Sequence, residues 1–208
     1  LLIENPADGR AIFNQQSRIR NQQLLLGHAK LLARTSKMTQ RALIELLHGK
    51  GAHADPVACV EDLSAELAAR QVAGFPHSVG QLVFHMNYWM DYELRRIRGE
   101  TPKYPEHSLE SFPAAALPGD PKQAAAEWDR LRGRFAGLLD EFAALAKSSR
   151  QELDRSIETV HEGDRKVAGT LEAVLWQMVA HNSYHTGQIA MIRRALGAWP
   201  PRGGGDTW

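Results

Sequence analysis

Nine histidines occur in the 208 residues of the chain, and three of them fall where a metal ion could use them. His181 and His185 are four residues apart, in a stretch whose apolar positions are Leu171, Val174, Leu175, Met178, Ile189, Ile192 and Leu196. Four residues of α-helix turn by about 40° and rise about 6 Å, so both imidazoles point to the side of that stripe. His85 lies between Leu82 and Trp89, again on an apolar helix face. Three imidazoles therefore enter one helical interior from two helices. A buried imidazole without partners is costly, and a divalent cation would satisfy three at once. Three neutral imidazoles suit zinc or nickel first, then iron, manganese or copper. They leave positions open for a water or a thiol, which the ion would make nucleophilic at neutral pH. The competing reading is three core histidines, each hydrogen-bonded to a neighbouring helix. The pair lacks the Glu of H-E-x-x-H, so a zincin protease is not indicated.

The elements that must hold these residues read as helices. Ala42, Leu43, Leu46 and Leu47 form a short apolar stripe ended by Gly49 and Gly51, and Val60, Leu63 and Leu67 suggest a second amphipathic piece over 57–70. Ser78 followed by Gln81 is a capping-box pattern, and Leu82, Val83, Met86, Trp89, Met90 and Leu94 continue at helical spacing to about Arg98. Residues 99–119 hold Gly99, Pro102, Pro105, Pro113, Pro118 and Gly119, which forces a long irregular connection of the kind that often covers a site. Asp120-Pro121 starts a third long helix with an apolar seam from Trp128 through Leu131, Phe135, Leu138 and Phe142 to Leu145. The polar stretch 147–169 has room for a short hairpin through Ile157, Val160 and Val167. A last helix runs from near Thr170 to Gly197, with Arg193 and Arg194 opposing its dipole. The expected fold is an all-α, antiparallel four-helix bundle with a Pro-rich loop between its second and third helices.

The stretch Phe75-Pro76-His77-Ser78-Val79-Gly80-Gln81-Leu82-Val83-Phe84-His85 resembles the second-helix signature of the DinB-like (DinB/YfiT) superfamily. The stretch His181-Asn182-Ser183-Tyr184-His185-Thr186-Gly187-Gln188-Ile189, running on through Arg193-Arg194-Ala195-Leu196-Gly197, resembles its last-helix signature. The order and separation of the two agree with the family over about residues 38–208. The resemblance implies a four-helix bundle with a three-histidine metal site at one end, its ligands falling on His85, His181 and His185. It also implies a choice among activities: thiol S-transfer or isomerisation with a low-molecular-weight thiol, or metal-dependent hydrolysis.

Around these positions the sequence offers further candidates. Gln188, one turn beyond His185, can orient a ligand imidazole or bond a neighbouring helix. Asn182 and Tyr184 lie between the two ligand candidates and can face a neighbouring helix. Tyr104 on the Pro-rich loop can roof the site. His77 suits a loop or a pocket rim, Trp89 the core or a pocket wall, and His161 a solvated loop. Asp91 and Glu93 are the carboxylates nearest His85, but neither shares its helix face. Arg95, Arg96 and Arg98 read as a solvated, dipole-favoured helix end that could attract an anionic thiol. With no evident general base, the first expectation is an enzyme joining a small-molecule thiol to an electrophile. Metal-dependent hydrolysis, a non-catalytic metal-binding stress-response protein and a metal-free helical interaction module are the alternatives.

Composition narrows the rest. Lys and Arg number 25 against 24 Asp and Glu, a net charge of +1, which argues against a dedicated nucleic-acid binder. Cys59 is the single cysteine, so neither a disulfide scaffold nor a cysteine-based zinc site is available. No apolar run approaches a membrane span, and the first residues lack a signal-peptide pattern; a cytoplasmic location is expected, with no membrane partner and with a homodimer as an option. Residues 1–37 carry six basic residues and two acids and are rich in Asn and Gln up to Gln23. They read either as an extension outside the core domain at 38–208 or as the start of one long first helix from about 22 to 48.

Overall fold

A computed structural model describes residues 37–161 and 164–204. The chain divides into two units, Leu1–Arg41 and Ala42–Trp208, and the account below concerns the second. The expected extension over 1–37 lies almost wholly outside the described residues.

In this unit, helical backbone over residues 42–47 forms α1, whose Leu43 and Leu47 are buried. The amphipathic piece expected over 57–70 is two short helices, α2 (Ala58–Glu61) and α3 (Ala65–Ala69). They separate because Ser64 turns out of the helix and caps α3, its hydroxyl accepting from the Leu67 N–H.

The long helices follow. Helix α4 (Val79–Ile97) opens on the full capping box of Ser78 and Gln81. Helix α5 (Pro121–Leu145) is capped by Asp120, whose carboxylate accepts from the Gln123 N–H at 2.9 Å. A short helix, α6 (Arg150–Leu153), leads into an antiparallel hairpin of β1 (Ser156–His161) and β2 (Asp164–Thr170), with a bulge between Ile157 and Glu158. Helix α7 (Leu171–Ala195) is capped by Thr170 and stops at Gly197, whose φ of +68° suits glycine.

Helix α4 packs against both α5 and α7. Leu82, Val83, Met86 and Met90 of α4 meet Trp128, Leu131, Phe135 and Phe142 of α5 and Leu171, Leu175, Met178 and Ile192 of α7 in one core. The fold is the expected four-helix bundle, with the hairpin as its one described sheet. His161 ends a strand, not a loop. No helix among the described residues is long and apolar enough to cross a membrane.

The Pro-rich connection is not featureless. Glu110 accepts from the backbone N–H groups of Glu106 and His107, folding a 3-10 turn at Ser108–Ser111. Gln81 anchors the far side of the loop, its Nε2 donating to the carbonyls of Pro113 at 2.8 Å and Ala114 at 3.3 Å. The side chain that caps α4 thus also fastens the loop one helical turn from His85.

Candidate metal centre

His85 on α4 and His181 and His185 on α7 converge. One ligand atom from each lies within 4.8 Å of the others, and no Asp, Glu or Cys among the described residues belongs to the group. His85 and His185 are buried, each 7 % exposed, and His181 is half-buried. The Nε2 atoms of His85 and His181 are 3.1 Å apart. Nitrogens bound to one zinc at about 2.0–2.1 Å stand about 3.0–3.4 Å from each other, so that separation fits a shared ion.

The other ring nitrogens set the chemistry. Nδ1 of His185 is 2.7 Å from Gln188 Oε1, and the Gln188 amide nitrogen faces the Tyr184 hydroxyl at 3.4 Å. Gln188 therefore presents its oxygen, Nδ1 of His185 donates, and Nε2 keeps its lone pair. Asn182 directs its Nδ2 to Met90 Sδ at 3.3 Å and its Oδ1 to His181 Nδ1 at 3.4 Å, which favours the same tautomer in His181. His85 Nδ1 is 2.9 Å from Ser111 Oγ, and Ser111 is fully buried. A serine hydroxyl can donate or accept. When it accepts, all three Nε2 lone pairs face inward and need a cation. When it donates, His85 carries its proton on Nε2 and gives it to His181. The cluster can therefore hold either a proton or a metal ion between the same two nitrogens.

Burial keeps the rings neutral. Desolvation, with the neighbouring His185 and His181, pushes His85 down to about 3. Desolvation and then His185 push His181 down to about 4, and desolvation lowers His185 as well. Neutral imidazoles are the form that binds a metal ion. Phe112 lies flat on His85, with ring centroids 3.8 Å apart, and His77 stacks on its other face at 3.9 Å. His77 is thus a neighbour through Phe112, outside the three-nitrogen group.

A pocket of about 360 Å³ opens beside His181, between Trp89, Tyr92, Glu93 and Tyr104. Tyr104 stands 5.6 Å from Trp89 and 6.0 Å from Tyr92, so the Pro-rich loop walls this pocket. Trp89 is a half-buried wall, not a core residue. A larger groove of about 870 Å³, between α3 and the end of the loop, touches none of the three histidines.

Several expectations need correction. Tyr184 does not face a neighbouring helix; it is 65 % exposed, with its ring 5.1 Å from that of His185. Glu93 is buried and lines the pocket, because Arg96 follows it inward and pairs with it at 2.6 Å. Desolvation raises its proton affinity, and the Arg96 charge offsets part of that. Asp91 is half-buried and paired with Arg134. Of the arginines ending α4, Arg95 and Arg98 are exposed as expected, but both are taken up in ion pairs, and only Arg96 departs from the solvated end. Arg95 pairs with Glu100 at 2.7 Å, Arg98 with Glu141 at 2.5 Å, and Arg96 is buried. Arg193, placed by the sequence where its charge opposes the helix dipole, is also buried, at 2 % exposed. Cys59 is buried with its thiol pushed up to about 11, so it supplies no thiolate at neutral pH. Ser111 and Phe112 had no sequence signal beyond their place in a long loop.

A profile of the DinB superfamily matches residues 51–189, more than half of the chain. No curated protein sequence matches it. Among solved structures, the chain is similar to YfiT from Bacillus subtilis, described as "a probable metal-dependent hydrolase with an unusual four-helix bundle topology". The TM-score is 0.46 and the identity 19 %, over 76 % of this chain and 87 % of that one.

Proposed function

The chain belongs to the DinB superfamily, and we propose that it is a metal-dependent enzyme that joins a low-molecular-weight thiol to an electrophile. One divalent ion, zinc or nickel by donor chemistry, is held by His85, His181 and His185. The observation that carries the reading is the pair of neutral Nε2 atoms 3.1 Å apart, with a third imidazole beside them. Bound there, the ion supplies a strong positive charge that lowers the pKa of a coordinating thiol.

The chain's own residues do the rest. Gln188, Asn182 and Ser111 fix the three rings through Nδ1. Phe112 covers one face of His85 and keeps water off it. The pocket between Trp89 and Tyr104 offers an apolar wall for the electrophile within reach of His181. A thiol used in this way needs no general base, which agrees with a ligand group containing no carboxylate.

Hydrolysis is the second reading, favoured by Glu93, whose carboxylate lines the same pocket with raised proton affinity and could accept a proton from water. Cobalt-loaded protein titrated with a small thiol separates the two. A new near-ultraviolet sulfur-to-metal band supports thiol transfer. A spectrum that ignores thiols, together with ester hydrolysis abolished by Glu93→Gln, contradicts it.

A further inference from the structure

Arg96, the arginine of the α4 end that turns inward, is 8 % exposed, and its guanidinium is only partly used. Nη1 donates to Glu93 Oε2 at 2.6 Å, and Nε donates to the Glu158 carbonyl of β1 at 3.2 Å. Nη2 is buried and has no hydrogen-bond partner among the described residues. A buried charged donor without an acceptor is costly, so such an atom marks a place where an acceptor belongs. In a guanidinium the Nε–H bond and one N–H bond of Nη2 leave along the same edge. Nη2 therefore faces as Nε does, toward β1.

A cavity of about 240 Å³ opens on that side. It lies between Tyr92 and Arg96 of α4, the start of the Pro-rich connection at 99–102, and residues 155–158 around the start of β1. At about 30 Å³ per water it has room for several waters, where one would satisfy Nη2. It is also smaller than most complete ligand sites, which run to about 300–1,000 Å³. Tyr92 and Arg96 line both this cavity and the pocket beside His181, so the two adjoin. Its size and place are those of a subsite.

Charge decides what group the subsite takes. Glu93 already balances Arg96, and Glu152 balances Arg155, the other arginine on the cavity wall. The remaining charged residues of the wall are acids, Glu100, which pairs with Arg95, and Glu158, both exposed. An incoming carboxylate would add negative charge beside them. A neutral carbonyl oxygen meets the same donor without that repulsion.

We propose that this cavity is a second subsite of the pocket beside His181, and that it takes an uncharged amide or other carbonyl group, whose oxygen accepts from Arg96 Nη2. Arg96 lies 11 residues beyond His85 on α4, about 16 Å along the helix axis. The substrate class that reaches both ends is an elongated, peptide-like molecule, with its reacting group at the histidines and an amide at its far end. The inference extends the proposed reading of that pocket, while the carbonyl contact itself needs no bound ion.

A ¹H–¹⁵N correlation titration of the metal-free full chain tests it. The probes are N-acetylglycinamide, which is uncharged, and N-acetylglycine, its carboxylate counterpart. The diamide should give saturable shifts at the backbone amides of Thr101 and Ile157, with a Kd of about 1–10 mM for so small a probe. N-acetylglycine should bind at least about 5-fold more weakly. Glu93→Gln/Arg96→Met removes the donor without stranding the buried acid, and should weaken diamide binding about 10-fold. Ser156→Trp, at an exposed position on the cavity wall, leaves the ion pair intact and should weaken binding by at least as much by filling the space. A diamide that gives no saturable shifts at these amides up to about 100 mM overturns the proposal. So does tighter binding of N-acetylglycine, or binding that ignores both variants. None of these outcomes bears on the metal centre, whose failure is read separately, in metal uptake.

Discussion

Two buried polar clusters share helix α7, and they are finished to different degrees. At its C-terminal end, every nitrogen of the Arg193 guanidinium has an acceptor. Nη1 reaches the Cys59 carbonyl at 2.6 Å and Asp62 at 2.8 Å, while Nε and Nη2 reach the Ala198 carbonyl at 2.9 and 2.6 Å. Asp62 is completed by the Arg202 N–H at 2.8 Å. Two turns back along the helix, the histidines have partners on their outer nitrogens and face one another with the inner ones. A saturated cluster holds the fold together. A cluster that brings lone pairs together and leaves them to be completed is built to receive something.

The sharpest way to break this contrast is at the saturated end. Arg193→Ala should destabilise the fold by about 3–5 kcal/mol, because it strands a partly buried Asp62 and two carbonyls. Urea unfolding would show it, and the fraction still folded should bind metal as the wild type does. An unchanged unfolding midpoint would mean that the clamp is decorative.

At the histidines the contrast predicts gain instead of loss. Zinc at about 1,000 times its dissociation constant should stabilise the protein by about 4 kcal/mol, read as a rise in Tm that EDTA reverses. Gln188→Ala frees the His185 ring and should weaken metal binding about 10–100-fold, with little effect on the metal-free Tm. Equal loss of Tm and of affinity would make Gln188 a fold residue.

The same rings also set a pH dependence. The folded-state proton affinities of His85 and His181 are depressed to about 3 and about 4 from 6.5. Above pH 6.5 neither state holds these protons, so they leave stability unchanged. Below it the unfolded chain binds protons that the folded one refuses. Metal-free protein should therefore lose stability as pH falls from about 6.5 toward 3, with a slope of up to about 1.4 kcal/mol per pH unit for each such histidine. His85→Phe should flatten that slope. A slope indifferent to the substitution would show that these rings titrate normally.

What was legible in the sequence was local. Ser78 with Gln81, Asp120 with Pro121, and Thr170 with Gly197 mark their helix ends because each cap is satisfied within a few residues. The single sides taken by His85 and by His181 with His185 follow from helix periodicity, and the resemblance tied them together. What was not legible depends on contacts across the fold. Ser111 meets His85 only because Gln81 and Glu110 fold the Pro-rich loop back onto α4. Arg193 is drawn inward by carbonyls 5 and 134 residues away, where local reasoning saw only a helix dipole. Glu93 is buried by its ion pair with Arg96, one turn along the same helix, against the usual tendency of acids to stay in water.

The central claim is that the three inner nitrogens hold one metal ion. Elemental mass spectrometry on untagged full-length protein tests it directly, with the wild type beside a His181→Ala/His185→Ala variant. The account predicts one divalent ion per chain in the wild type, either as purified or after exposure to zinc or nickel, and none in the variant. A wild type that holds no ion and takes up neither added metal would contradict it, and would leave the histidines as a hydrogen-bonded core cluster.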